Sequence, residues 1–294
     1  MKILVTGSGG RVGRAIHIRL MREHDVVGMD RSPCSTAAFV GDIRDESLVA
    51  AALDGVDAVV HVSALHAPHV GMVPDAEFVD INVRATERLA TMAALRGARH
   101  FVFTSTTALY GSASTPVGRA GWVDETTVPQ PRTIYHRSKI EAEAALQRIS
   151  DDHGLPVTVL RMSRCFPERA DLMAVYRLTR GIDYRDVASA HACALERRLA
   201  GFKRFIVSGA TPFSESDCER LFDNAPAALE DKAPELVRGF ERRGWALPGR
   251  LDRVYSPEAV QRALGWRPKY GWQSVLDALD TELAEVLPVP AAGS

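Results

Sequence analysis

The chain has 294 residues, room for one large domain or a domain with a smaller lobe. Its 46% hydrophobic content is ordinary for a globular protein, and a formal net charge of −1 gives no global attraction to nucleic acid or an anionic membrane. Cys34, Cys165, Cys193 and Cys218 are scattered with no CxxC pair, which fits reduced cytosolic thiols better than a disulfide framework or a zinc site.

The amino terminus enters a strand at once, Lys2–Thr6, without the basic region and apolar core of a signal peptide. Gly10–Glu23 has helical spacing, with Val12, Ala15, Ile16 and Leu20 on one face. Asp25–Asp30 reads as a second strand and Ala38–Val40 as a short third. A helix through Leu48–Leu53 leads to a fourth strand, Ala58–Val62. Asp75–Arg96 is predicted as one long helix, His100–Ser105 as a fifth strand, Tyr135–Ile149 as a second long helix and Val157–Leu160 as a sixth strand. The strands are solid apolar runs rather than alternating ones, and helices separate them. That pattern predicts an α/β fold, a doubly wound parallel sheet covered by helices on both faces. No apolar run reaches membrane-spanning length, Pro288–Ser294 reads as a loose tail, and the expected location is the cytoplasm.

The first strand-to-helix turn reads Thr6-Gly7-Ser8-Gly9-Gly10-Arg11-Val12-Gly13, a TGxxGxxG pattern. Gly7 permits a tight turn off the strand, Gly10 lets backbone approach a pyrophosphate, and Gly13 lets the helix pack close to the sheet. The helix that Arg11 and Val12 open offers free N–H groups and a positive dipole end to phosphates. A strand before, a helix after and Asp30 at the end of the next strand make this a Rossmann-type dinucleotide site. Asp30 is placed to accept hydrogen bonds from the adenosine ribose hydroxyls and to repel a 2′-phosphate, which favours NAD. Arg31 and Arg11 could each pair with that phosphate and so keep NADP open. Asp42 and Ile43, just past the third strand, are placed against the adenine; Asp42 otherwise reads as a turn or helix cap.

A second site lies in Tyr135-His136-Arg137-Ser138-Lys139, where YxxxK puts both side chains on one helix face, one turn apart. Upstream stands a strand end rich in hydroxyls, Thr104-Ser105-Thr106-Thr107-Ala108-Leu109-Tyr110-Gly111. At these residues the sequence resembles the extended short-chain dehydrogenases/reductases, the NAD-dependent epimerase/dehydratase family. Their strand-five motif is similar to SSSxxVYG and here reads TSTTALYG. The resemblance covers nearly the whole chain. It includes His61-Val62-Ser63-Ala64, Asn82, Leu160-Arg161, Asp186-Val187-Ala188 and Leu264-Gly265-Trp266-Arg267-Pro268.

The resemblance implies roles. Tyr135 is the general acid/base that exchanges a proton with the substrate oxygen. Lys139 holds the nicotinamide ribose and, with the positive nicotinamide, lowers the phenol from its free value of about 10. Thr106 matches the hydroxyl that hydrogen-bonds the reacting oxygen, with Ser105 the second candidate. Val62, Ser63 and Ala64 line the cofactor, and Asn82 braces the region beside the lysine or else faces solvent.

What is missing narrows the chemistry. The family's 4,6-dehydratases carry an Asp-Glu pair just after the catalytic Thr. Here Thr107-Ala108 follow, with no acid to protonate a leaving hydroxyl. The family's LRxxNxxGP segment reads Leu160 to Pro167, with Arg164 in place of the Asn. Only Glu168–Arg185 then precedes Asp186, too short for the insert that builds the nucleotide pocket in nucleotide-sugar relatives. Arg169, Arg177, Arg180 and Arg185 lie in this stretch. Arginine can grip a carboxylate with two parallel hydrogen bonds, and Arg164 is the expected contact unless these arginines simply coat a small lobe. The short segment and the run to Cys165-Phe166-Pro167-Glu168 partially resemble uronate dehydrogenases, relatives that oxidise a free sugar acid to its lactone. His66 falls near the pocket mouth, as a substrate contact or part of a solvated loop. With His61 and His69 it fits no familiar ligand spacing, and no metal is expected.

These readings predict an NAD-binding Rossmann domain from 1–165 with 186–211, and a small substrate-binding lobe from 166–185 with 212–294. The expected activity is an NAD-dependent oxidoreductase acting on a secondary alcohol of a sugar or sugar acid. An NAD-retaining sugar or nucleotide-sugar epimerase is the alternative, and a non-catalytic NAD-sensing binding protein the third reading. The substrate is a small molecule; no nucleic-acid or membrane partner is expected. The resemblance implies a homodimer through a four-helix bundle of Asp75–Arg96 and Tyr135–Ile149. There Phe78, Ile81, Leu89, Met92, Ile140, Ala144 and Leu146 serve either the sheet or a partner.

Overall fold

The computed structural model describes residues 1–290; residues 291–294, the end of the expected tail, lie outside the described residues. The amino-terminal half runs β1 (Lys2–Thr6), α1 (Arg11–Leu20), β2 (Asp25–Asp30), β3 (Phe39–Val40), α2 (Glu46–Ala52) and β4 (Ala58–His61). It continues through α3 (Asp75–Val79), α4 (Ala85–Leu95), β5 (His100–Thr106), β6 (Gly121–Val123), α5 (Ile134–His153) and β7 (Val157–Met162). Then come α6 (Ala170–Thr179), α7 (Tyr184–Arg197), β8 (Phe202–Val207), α8 (Cys218–Asp223), α9 (Ala225–Lys232) and α10 (Pro234–Glu241). Last are β9 (Arg253–Tyr255), α11 (Glu258–Leu264) and α12 (Trp272–Asp280).

Seven strands form one parallel sheet in the order β3-β2-β1-β4-β5-β7-β8. Ile3, Leu4, Val5, Val59, Val60, Phe101 and Val102 are fully buried, because helices cover both faces. On one face α1 and α7 bring Ile16, Leu20, Val187 and Leu195 onto Val5 and Val60, joined by Val260 and Leu264 of α11. On the other, α2, α4 and α5 bring Val49, Leu89, Ala142 and Leu146 onto Leu4 and Val59. The strand order reverses between β1 and β4, and a crevice opens at the carboxyl ends there, where ligands bind in open α/β sheets.

A second apolar cluster joins Met173 of α6 to Leu221, Leu229, Leu236 and Phe240 of α8, α9 and α10, and to Val275 of α12. Ala120 belongs to it as well, and β6 pairs with β9 in a two-stranded parallel sheet, Gly121 opposite Arg253 and Val123 opposite Tyr255. A segment before residue 165 therefore packs with the last third of the chain.

The predicted helix Asp75–Arg96 is α3, a π-helical turn at Asp80–Arg84, and α4. The wider turn carries Asn82, whose side chain is buried. Of the seven apolar residues assigned to sheet or partner, Phe78, Leu89 and Leu146 are fully buried, Ile81, Met92 and Ile140 are half-buried, and Ala144 is exposed. No described helix is long and apolar enough to cross a membrane.

Candidate active site

A cavity of about 930 Å³ runs along the carboxyl ends of the central strands. Its nucleotide end begins at the glycine turn. Gly7 has φ +70°, a conformation that costs glycine little and other residues more. A Cβ on Gly13 would stand 1.9 Å from the Gly7 carbonyl oxygen, so only glycine lets α1 sit this close to β1. A Cβ on Gly10 would meet only that carbonyl, at 3.4 Å, and Gly10 lines the cavity.

Asp30 closes β2, and its carboxylate is fixed by backbone: Gly9 N–H donates to Oδ2 at 2.9 Å and Ser32 N–H to Oδ1 at 3.0 Å. Each oxygen keeps a lone pair for a further donor. Arg11 and Arg31 both line the cavity, but the Arg11 guanidinium pairs with Glu285 at 2.5 Å and lies over the Tyr184 ring. Arg31 is therefore the residue left to compete for a 2′-phosphate. Asp42 is gripped by Arg44 at 2.7 Å, which holds its carboxyl below the usual carboxylate range, and Arg44 also reaches Glu77 and Asp80. Ile43, Val12, Val62, Ser63 and Ala64 complete this wall. A glycine cradle, a helix amino terminus, a fixed carboxylate and an apolar face together suit an adenine dinucleotide.

At the reacting end, Thr133 starts α5 by accepting from His136 N–H at 3.3 Å, and the helix carries Tyr135 and Lys139 into the cavity wall. Lys139 Nζ donates to the Thr104 carbonyl at 2.8 Å and stands 3.9 Å from the Phe103 ring centre. Burial pulls its pKa down to about 7, opposed by the charge of Glu143. The Tyr135 hydroxyl meets the Thr106 hydroxyl, yet burial pushes the phenol up to about 12. Desolvation is the largest influence on the phenol, and Lys139 Nζ is aimed at the Thr104 carbonyl.

The structure separates the two hydroxyl candidates. Thr106 accepts from Ala108 N–H at 3.1 Å, and its hydroxyl lies beside the Tyr135 phenol and pulls its pKa down. Ser105, the neighbouring residue and so on the other face of β5, donates to Glu143 Oε1 at 2.5 Å. Glu143 in turn accepts from Arg161 Nε at 3.0 Å and Nη2 at 2.6 Å, and Arg161 Nη1 donates to the Tyr110 hydroxyl at 2.9 Å. Asn82 does not line the cavity. It braces it, donating to Leu65 O at 2.9 Å and Ser138 Oγ at 3.0 Å and accepting from Leu65 N–H at 2.8 Å.

The remaining wall carries His66, Arg164, Phe166, Tyr176, Arg180 and Arg253. His66 stacks on Phe166 with ring centres 6.1 Å apart and meets His69 edge-on at 4.5 Å; burial lowers its pKa. Arg164 reaches the cavity, but its Nε is held by Glu168 at 2.5 Å. Arg177 is buried against Asp183, while Arg169 and Arg185 pair with Asp171 and Asp183. His61 lies fully buried between Thr6 and Thr86, its pKa pulled down to about 3.

Sequence reasoning missed Arg253 and Tyr255, which β9 brings in from far along the chain, and no motif marks that short strand. It also missed Glu143, although Tyr135, Lys139 and Glu143 share one helix face at four-residue spacing, a signal within reach.

The model of the NAD dependent epimerase/dehydratase family matches residues 3–178. The chain belongs to this family. It is accordingly an NAD-dependent enzyme of the dehydrogenase, epimerase and dehydratase kind. An NAD-dependent glucose-6-phosphate dehydrogenase of Haloferax volcanii is 26% identical over 212 residues, 66% of this chain and 80% of that protein. An L-arabinose 1-dehydrogenase (NAD(P)(+)) of the same organism is 25% identical over 285 residues, 94% of this chain and 99% of that protein. Among solved structures, a short-chain dehydrogenase/reductase superfamily protein from Agrobacterium tumefaciens with bound NAD matches with a TM-score of 0.74 at 22% identity. It covers 97% of this chain and 99% of that one. The epimerase/dehydratase family thus accounts for the fold.

Proposed function

We propose that this chain is an NAD-dependent dehydrogenase that oxidises a secondary alcohol of a free sugar or sugar acid. The observation that carries the reading is the constellation of Thr106, Tyr135 and Lys139 in the wall of one cavity, with no carboxyl group at 107–108. Bound NAD supplies the hydride acceptor. Thr106 holds the substrate hydroxyl against Tyr135, whose oxygen takes the proton. Lys139, a buried amine with a pKa of about 7, binds the cofactor ribose and favours the phenolate when charged. The wall between β7 and α7 consists of α6 and its short flanks, which supports a small substrate over one carrying a nucleotide. Two relatives named as sugar dehydrogenases, one matched over 66% and the other over 94% of this chain, agree in kind.

The test is to incubate the protein with NAD and a panel of free sugars, sugar acids and UDP-sugars, following NADH absorbance and product stereochemistry. NADH formed on a free sugar or sugar acid supports the reading. A new epimer without net NADH, or activity confined to UDP-sugars, overturns it in favour of an NAD-retaining epimerase.

A further inference from the structure

Arginines crowd the substrate end of the cavity, but their hydrogen-bonding edges are not equivalent. A guanidinium grips a carboxylate or phosphate best through the parallel Nε–H and Nη2–H of one edge. In Arg164 that edge is closed on Glu168. In Arg253 it is closed on Asp252, at 3.1 and 2.7 Å. In Arg169 and Arg185, outside the cavity, it is closed on Asp171 and Asp183. Arg180 differs. Its Nη1 alone donates to both oxygens of Asp252, each at 3.2 Å, and its Nε/Nη2 edge has no protein partner among the described residues.

The side chain is also held in place. Arg180 ends α6, its carbonyl accepts from Arg164 N–H at 3.0 Å, and its guanidinium lies over the Tyr176 ring at 4.3 Å. Charge points the same way. Asp252 is shared by Arg180 and Arg253, so one carboxylate faces two guanidinium groups, and Arg253 Nη1 reaches Ser114 Oγ at 3.0 Å. Arg164 is neutralised by Glu168. This corner of the cavity therefore keeps one net positive charge, with a rigid donor edge open beside it.

We propose that Arg180 selects an anionic substrate: its free edge takes a carboxylate or phosphate monoester borne by the sugar on a carbon other than the one oxidised. The proposal rests on the dehydrogenase reading and assigns to Arg180 the contact that the sequence alone assigned to Arg164. The matched probes are glucose, glucuronate and glucose 6-phosphate. The wild type should oxidise at least one of the two anions with a kcat/KM at least about tenfold above that for glucose, and whichever anion is preferred identifies the group. Arg180→Gln should lower kcat/KM for that anion by about ten- to a hundredfold, mostly through KM. Arg180→Lys preserves a charge for Asp252 and guards against misfolding; it loses the fork, and should lose about tenfold. Arg169→Gln, outside the cavity, should change nothing. Equal kcat/KM for glucose and both anions, or a loss in Arg180→Gln shared equally by all three sugars, overturns the proposal. Calorimetric titration of the NAD-loaded protein with glucuronate and glucose 6-phosphate separates the two readings. Binding that Arg180→Gln abolishes, without turnover, overturns the dehydrogenase reading and leaves the Arg180 assignment standing. Binding of neither anion overturns the assignment.

Discussion

Replacing Glu143 with alanine should strike both the stability of the protein and the wall behind its reacting end. The Glu143 and Arg161 side chains are each 3% exposed, and they meet through a fork at 3.0 and 2.6 Å. Removing one partner of such a pair leaves the other charge uncompensated in the interior, at a cost of about 3–5 kcal/mol. Ser105 Oγ loses its acceptor at the same time. Arg204, also beside Glu143, is 35% exposed; water can solvate it, and its share is small. At roughly 2–4 °C per kcal/mol for a chain of this size, the melting temperature should fall by roughly 6–20 °C. Pairing the change with Arg161→Met removes the stranded charge and should recover much of the loss, because an apolar pair avoids the desolvation cost. Differential scanning calorimetry of the single and double variants reads this directly. A single variant melting within about 2 °C of the wild type, or a double variant no better than the single, would refute the view that a buried charge is at stake.

Tyr135→Phe should keep NAD affinity while turnover drops by about 10²–10⁴-fold, the usual loss for a general acid/base; near-normal turnover removes Tyr135 from the chemistry. Lys139 has a folded-state pKa of about 7, below its unfolded value, so between about pH 7 and pH 10 the unfolded chain holds a proton that the folded one has shed. Stability should therefore rise with pH across that window relative to Lys139→Met, and urea midpoints that stay parallel from pH 7 to 9.5 would contradict this. Fluorescence titration should show NAD bound more tightly than NADP, and Asp30→Ala should narrow the gap; tighter NADP binding by the wild type would give Arg31 control of the ribose. Light scattering at micromolar concentration should show twice the chain mass, with Ile81, Met92, Ile140 and Ala144 as the apolar side chains left on the shared face, and a clean monomer counts against that dimer.

Features that depend on a few neighbouring residues are readable from the chain without its fold. The glycine turn was legible because strand, turn and helix follow within Lys2–Leu20, and the spacing of Gly7, Gly10 and Gly13 has one steric meaning there. Asp30 was placed by the length of β2, and Tyr135 with Lys139 by the helical repeat. The parallel sheet followed from apolar runs separated by helices. Tertiary packing alone decided which of these groups is free to act. Whether Ser105 or Thr106 faces Tyr135 depends on how β5 sits against α5, and Glu143 captures one of them. How the Tyr135 phenol and the Lys139 amine titrate depends on what surrounds them, and burial is the largest influence on each. Arg164, Arg180 and Arg253 look alike in sequence; the edges of Arg164 and Arg253 are closed by near neighbours in the chain, Glu168 and Asp252, whereas Arg180 meets Asp252 through Nη1 alone because α6 packs against the entry to β9, 72 residues away. Local conformation is fixed by local sterics, whereas charge pairing and desolvation are properties of the packed whole.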